Sequence, residues 1–477
     1  MLLHPAPPSS ALRAGLLAVI LLLAACGAAA APSDSPPSAT PDQAAPQPVV
    51  IDTDLGADDL IALTLLLREP ALDVRAVTVA ATGLVHCEAG RQHLSNLFHQ
   101  LQVEAVPVGC GRDDPGADGR KFPPEWRTAA DAAYGLRMTP VAVGGDRPEA
   151  VDVLTRAIED AGAPVTVVAL GPWTNLEDLF AASPDLAASI ELLHAMAGTV
   201  DAPGNVYDED GAPLEPSLEW NVAADPSAFA AVQEIDVPIR LVSLDATDQV
   251  PIDQQLYERL DDDHTAAGAN LAFELLTRNA FMLEGGTFLW DELAVLALLD
   301  PTLIGWESTP LTVDDAGHLA RGGQRSMEVS MEVDPAAVTD ALLATLTDGG
   351  PRADPFELDG ILPVTWDGAT CSMDADALAP GLYRLFFTNQ SDQAAAAVLA
   401  TVAPTHEWSE LVDFLPKAQT GEEPPSWLAV TIYAGAEASS SASGIGEVGE
   451  GTAGPVCLTG DGTDVRAVAG DPIEIAP

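Results

Sequence analysis

Apolar residues follow two patterns along this chain. From 47 to about 350, short apolar runs alternate with segments whose apolar residues recur every three or four positions. Val49, Val50 and Ile51 form a run of the kind that makes a buried parallel strand. Leu60, Ile61, Leu63, Thr64 and Leu67 then trace one apolar face of a helix. Further strand-like runs occupy 74–80, 105–108, 165–170, 191–197 and 237–244, and helical spacing occupies 88–101, 149–160 and 293–299. Strands separated by helices predict a mainly parallel, Rossmann-like α/β sheet covered on both faces, over 47–350.

The second pattern begins after a Gly- and Pro-rich linker at 349–355. Helical periodicity stops there. Short alternating segments at 382–387, 397–402, 427–434 and 464–469 replace it, broken by turn residues such as Asn389-Gln390-Ser391-Asp392. These predict a small C-terminal β-sandwich domain over 356–477. The run 434–454, rich in Ala, Ser and Gly, reads as a disordered loop.

Residues 1–25 read as an export signal, with Arg13 followed by an apolar run too short to span a bilayer stably. Their end, Leu23-Ala24-Ala25-Cys26, resembles the bacterial lipobox, which implies cleavage before Cys26 and a lipid anchor on its thiol. Residues 26–46, small and Pro-rich, then form a flexible tether. The protein is expected to be exported and lipid-anchored at the cell membrane, facing the extracytoplasmic side. That setting makes Cys87, Cys110, Cys371 and Cys457 a candidate pair of disulfides. Three pairings are open, and the sequence gap favours Cys87–Cys110 with Cys371–Cys457. A net charge of −52 repels a phosphate backbone and excludes nucleic acid as a partner.

The chemistry concentrates where the first strand turns into the first helix. Asp52, Asp54, Asp58 and Asp59 lie within eight residues there. Carboxylates so close repel one another, and a hard divalent cation is the natural way to hold them. Gly56 is expected to give the turn its conformational freedom.

Asp52-Thr53-Asp54-Leu55-Gly56-Ala57-Asp58-Asp59 resembles the N-terminal signature of the inosine-uridine nucleoside hydrolase family. Later motifs of that family appear in order. Gly171-Pro172-Trp173-Thr174-Asn175 is similar to its Gly-x-x-Thr-Asn loop, and Asn205 and Glu219-Trp220-Asn221 to its ribose-gripping residues. Trp290-Asp291-Glu292-Leu293-Ala294 is similar to the segment whose Asp completes a calcium site. The resemblance implies Ca2+ held by Asp54, Asp59, Asp291 and the Thr174 carbonyl. It also implies Asp54 as general base, with Asp58, Asn205, Glu219 and Asn221 on the ribose hydroxyls. Asp52 is expected to orient the loop from behind. The implied reaction is calcium-dependent hydrolysis of a ribonucleoside to base and ribose.

Two positions depart from better-known members. Trp290 stands where many carry a His that serves the departing base, and Thr82 stands where an Asn is common. Leaving-group activation then needs another route, such as stacking of a purine between Trp126 and Trp290. The segment 121–136 looks like an insertion that borders the pocket in some members. A rival reading is a nucleoside-binding lipoprotein that does not cleave. A haloacid-dehalogenase-type phosphatase is disfavoured by Gly56 and by lysines only at 121 and 417. A homo-oligomeric assembly is left open.

Overall fold

A computed structural model describes residues 45–475, except 117–118, 146, 208–211, 284, 349, 354–355, 376, 419–423, 437 and 461–465. The expected signal segment and most of the tether lie outside the described residues.

Among the described residues, one sheet is built from β1 Gln47–Thr53, β2 Leu72–Val79, β3 Val108–Cys110, β4 Val165–Ala169, β5 Ile190–Met196 and β6 Ile239–Val242. Two longer strands, β7 Ile304–Val313 and β8 Leu319–Val333, complete it in the order β3-β2-β1-β4-β5-β6-β8-β7. All neighbours run parallel except the β7–β8 hairpin. Alternation along β1 explains the two layers. Val49 and Ile51 face one apolar core, which takes in the helices Ala57–Arg68, Ala267–Arg278 and Trp290–Leu299. Val50 faces the other, which holds Leu154, Leu176 and Phe229 from the helices Ala150–Glu159, Thr174–Ala182 and Pro226–Gln233. Strand order reverses between β1 and β4, so their carboxyl ends diverge and open a crevice. The third strand lies at 108–110 rather than 105–108, because it pairs with Val77–Val79 at the carboxyl end of β2.

The C-terminal part holds β9 Gly360–Trp366, β10 Cys371–Met373, β11 Gly381–Asn389, β12 Ala395–Val402, β13 Leu428–Ala436 and β14 Ser441–Val448, followed by β15 Thr452–Thr459, β16 Arg466–Ala469 and β17 Ile473–Glu474, with a helix Trp408–Ala418 between β12 and β13. The strands make two sheets, β10-β9-β11-β14 and β13-β12-β15-β16, with β17 on β15. Val364, Leu385 and Phe387 of one sheet share a core with Leu399, Ile432 and Cys457 of the other. The expected sandwich is therefore present. The run read as a disordered loop in fact holds the end of β13, all of β14 and the start of β15. Its small residues serve packing, since a Cβ at Gly444 or Gly446 would strike the carbonyls of Tyr433 or Thr431.

Both expected disulfides form, with Cα–Cα separations of 5.7 Å for Cys87–Cys110 and 5.6 Å for Cys371–Cys457. The first ties a helix start to β3, and the second joins β10 to β15 across the sandwich. No helix among the described residues is long and apolar enough to cross a membrane.

Candidate active site

The acids sit at the carboxyl end of β1, beside the ends of β4 and β5. The turn after β1 is held by its own backbone. Leu84 N donates to Asp54 Oδ2 at 3.1 Å, Val85 N donates to Asp54 O at 3.0 Å, and Leu55 N donates to Thr53 Oγ1 at 3.1 Å. These bonds pin Leu55 at φ 56°, a left-handed conformation that costs a non-glycine residue about 1–2 kcal/mol. Leu55 thus makes the tight turn expected of Gly56, which has an ordinary φ of −57°. Gly56 is needed for space: a Cβ there would stand 2.6 Å from Asp58 Oδ1 and 2.9 Å from Asp59 Oδ2. Gly83 and Gly171 are packed as closely against Asp54.

Asp59 is the hub. It accepts from Gly56 N at 2.9 Å and from the Thr53 hydroxyl, and the carboxyls of Asp54 and Asp291 hydrogen-bond to it. Oxygens of Asp58, Asp59 and Asp291 lie within 4.8 Å of one another. Burial, then the repulsion of neighbouring carboxylates, pushes Asp54 and Asp291 well above the usual carboxylate range and Asp58 up to about 7. Burial also raises Asp59, against the bonds it receives. A cluster that resists ionisation alone is one that gains most from a cation. All the donors are hard oxygens, with no imidazole or thiolate among them, so the set fits a hard divalent ion.

Asp52 points away from the cavity, accepting from Thr78 Oγ1 at 2.6 Å and Asn175 Nδ2 at 2.7 Å. It fixes the loop after β4 against β1. Thr174 opens the next helix, and its hydroxyl donates to Asp225 Oδ2 at 2.9 Å. Thr82 is not among the residues that line the cavity. Its hydroxyl lies 2.8 Å from Thr174 Oγ1, so the expected substrate contact is corrected to a support beneath the floor.

The cavity itself measures about 530 Å³. Asp54, Asp58, Asp59, Asp291, Asn205, Glu219 and Asn221 give it one polar side. Glu219 caps the helix Trp220–Ala224, accepting from the backbone N–H groups of Gly198, Asn221 and Val222 at 2.8, 2.8 and 3.1 Å. Asn221 Nδ2 donates to Leu170 O and Met196 O at the ends of β4 and β5. Asn205 Oδ1 accepts from Trp220 N at 3.0 Å. Every polar residue expected on the ribose is therefore oriented by backbone.

The other side is apolar and aromatic. The helix Pro124–Asp131 and the residues flanking it border the cavity through Phe122, Trp126 and Tyr134. Trp126 and Trp290 both line it, and neither ring packs directly on the other. Trp126 packs edge-on to Trp220, which stacks on Phe122 at 4.5 Å between ring centres. Trp290 instead donates its indole N–H to Asp248 Oδ1 at 3.1 Å. His86 is off the cavity lining and binds Asp131 at 2.8 Å.

Three features were not read from the sequence. Tyr134 lines the cavity from a left-handed backbone of φ 51°, and burial with the nearby acids pushes its phenol pKa up. Asn279, Phe281 and Met282 form a further wall. Glu292 is fully buried beside Asp58, and its carboxylate oxygens have no hydrogen-bond partner beyond its own backbone. An acid buried next to Asp291 at a helix start was the only sequence signal for it.

Residues 49–340 match the family described as inosine-uridine preferring nucleoside hydrolase. The chain belongs to that family. Among curated relatives, pyrimidine-specific ribonucleoside hydrolase RihA of Klebsiella pneumoniae is 27% identical over 63% of this chain and 98% of its own length. Its counterpart from Photobacterium profundum is 29% identical over 55% of this chain and 80% of that protein. The fold recurs in a plant nucleoside hydrolase with a TM-score of 0.55 and 23% identity, covering 64% of this chain and 100% of that one. A purine-preferring ribonucleoside hydrolase of Gardnerella vaginalis gives 0.53 at 22% identity, over 63% and 98%. In this nucleoside hydrolase the family match ends at residue 340, before β9.

Proposed function

We propose that this family member hydrolyses the N-glycosidic bond of ribonucleosides, releasing free base and ribose, with Ca2+ at the acid cluster. The observation that carries the reading is one cavity lined both by carboxylates and amides and by aromatic rings. A ribose needs paired acceptors and amides, and a base needs flat apolar surface. A calcium ion held by Asp54, Asp59, Asp291 and the Thr174 carbonyl would supply positive charge that neutralises the acids, engages vicinal hydroxyls and acidifies water.

The chain's own residues do the rest. Asp54 takes one proton from the attacking water, whose oxygen bonds to the anomeric carbon as the bond to the base breaks. Positive charge develops on the ribose ring at that moment, and the carboxylates of Asp58 and Glu219 face it. Asn205 and Asn221 hold the sugar hydroxyls. The departing nitrogen gains a proton from solvent while its ring lies against Trp126 and Trp290. That aromatic surface favours a purine, the larger ring system.

We extend the proposal to location. The lipobox-like Leu23-Ala24-Ala25-Cys26 and two disulfides support export to an oxidising compartment and a lipid anchor on Cys26.

Reducing-sugar release from a panel of purine and pyrimidine ribonucleosides, with calcium and after chelation, tests the reading. Calcium-dependent release of ribose is expected, fastest with purines. The cavity lining contains no histidine among the described residues, which favours one other reading: capture of a nucleoside without cleavage. Stabilisation by nucleosides without sugar release would establish that alternative.

A further inference from the structure

The C-terminal sandwich lies outside the family match, yet it grips the helix that carries one wall of the cavity. The helix Ala267–Arg278 is buried along its length as far as Thr277. At its start, Ala267 N donates to Pro351 O at 3.0 Å, and Ala353 N donates to Thr265 O at 3.1 Å. Pro351 and Ala353 therefore add a short strip of backbone at the start of the helix. Asn270 Oδ1 accepts from Phe356 N at 2.6 Å, and Arg278 lies over the Phe356 ring at 5.3 Å.

Two contacts from the sandwich reinforce this hold. Arg384 of β11 donates to Tyr257 Oη at 3.2 Å and reaches Asp261 at 3.4 Å. Tyr257 in turn stacks on Phe273 and bonds Thr277, both on the helix. Strand β14 packs against the helix and against the turn Ala280–Leu283, with Ile445 set on the α/β core.

The far end of the helix shapes the cavity. Asn279 Nδ2 donates to Tyr134 O at 3.0 Å, and Glu274 Oε1 accepts from Arg137 N at 3.1 Å and Arg278 Nε at 2.7 Å. Tyr134, Asn279, Phe281 and Met282 all line the cavity. None of them is one of the acids, although the Tyr134 phenol lies close to Asp54, Asp58 and Asp59.

We propose that the C-terminal sandwich is a positioning element of the substrate cavity: through Arg384, Ile445 and the linker residues Pro351, Ala353 and Phe356 it holds the helix Ala267–Arg278, and thereby Tyr134 and the 279–282 wall. It acts through the 279–282 wall and through Tyr134, whose phenol alone of these reaches the acids, and it holds none of the acids themselves. This rests on the nucleoside reading above only for the choice of substrate.

The test uses the full chain and the variants Arg384→Ala, Ile445→Ser and Arg384→Lys. Loosening the clasp is expected to raise KM for nucleosides about tenfold, with kcat less affected. Inhibition by free ribose and the affinity for calcium stay within about twofold, since uniform damage would move all of them. Hydrogen exchange speeds up at 133–137 and 279–287 while strands β11, β12 and β15 stay protected, and Arg384→Lys recovers part of the loss. Unchanged KM and unchanged exchange would overturn the proposal, as would equal losses in ribose inhibition and calcium affinity. If Ile445→Ser does not fold, Arg384→Ala alone decides. The exchange measurement needs no substrate, so a chain that releases no sugar sinks the hydrolase reading without deciding the clasp.

Discussion

The two sides of the cavity are built by different means. The acid side comes from turns at strand ends: Asp54, Asp58 and Asp59 after β1, Glu219 as a helix cap, and Asp291 in a first helical turn. Most of its side chains are locked by backbone N–H groups or by one another. The aromatic side comes from segments far apart in sequence, 122–134, 220 and 279–290, held by ring packing and by a helix that the C-terminal sandwich grips. A floor fixed by backbone is rigid and specifies the sugar and the ion. A wall fixed by side-chain packing can vary without disturbing the chemistry. Changes to the floor should therefore act on turnover and metal affinity, and changes to the wall on KM.

The largest effect is expected at Asp54. Asp54→Ala removes the general base and a partner of Asp59, so kcat should fall by at least about a thousandfold, within the range for losing a positioned base. Calcium affinity should fall with it. Isothermal titration beside the sugar assay measures both, and retention of either would separate Asp54 from the ion or from the water.

Next in size is the response of the metal-free protein to pH. Burial raises Asp52 and Asp58 to about 7 from 3.8, and Asp54 and Asp291 also rise. In each case the folded state holds its proton more tightly than the unfolded chain. Their favourable contribution is then complete below pH 4 and is lost as pH climbs toward 7 and above. Chelated protein should melt about 5–10 °C lower at pH 8 than at pH 5 once the rest of the protein is controlled for by Asp58→Asn. Saturating calcium should abolish the slope. A chelated protein that melts higher at pH 8 would mean the acids ionise in the empty site.

Legibility from sequence divides along the same line. Part of the floor could be read because a strand end and a helix start put Asp54, Asp58 and Asp59 at short spacings. Asp291, far along the chain, was legible only through its resemblance to a family motif; the structure gathers all four. Glu219 and Asn221 were likewise legible only through that resemblance, and the structure adds that they sit two residues apart at a helix cap. The wall was not. Nothing in the order of residues shows that Trp126 meets Trp220, or that Asn279 reaches back to Tyr134. The turn itself was half legible. Its tightness was clear, but which residue takes the left-handed conformation depends on bonds from Leu84 and Val85, thirty residues away. The small residues of 434–454 misled because composition alone does not distinguish a loose loop from a strand packed too closely to bear side chains.

A smaller change is expected at the wall. Trp126 is 42% exposed and lines the cavity, so Trp126→Ala should raise KM about fivefold, the usual scale of one aromatic contact. Its kcat should hold within twofold. If purines and pyrimidines suffer equally, the ring closes the cavity without reading the base. A loss confined to purines would make it the reader of ring size.

The smallest effect tests where floor ends and support begins. Thr82 was expected at the substrate because an amide is common at its position in the family, yet it is 2% exposed and hydrogen-bonded to Thr174. Thr82→Ala removes that bond while Thr174 keeps Asp225 as acceptor, so no buried donor is stranded. The cost should be about 1 kcal/mol of stability, the net worth of one neutral hydrogen bond, with KM and kcat unchanged within twofold. Calcium affinity should also hold, because the backbone of Thr174 is fixed by its helix and by the Asn175–Asp52 bond as well as by its hydroxyl. A tenfold rise in KM would return Thr82 to the substrate. A selective loss of calcium affinity would instead show that the Thr82–Thr174 bond sets the position of the carbonyl, and the floor would then extend one layer deeper than its lining residues.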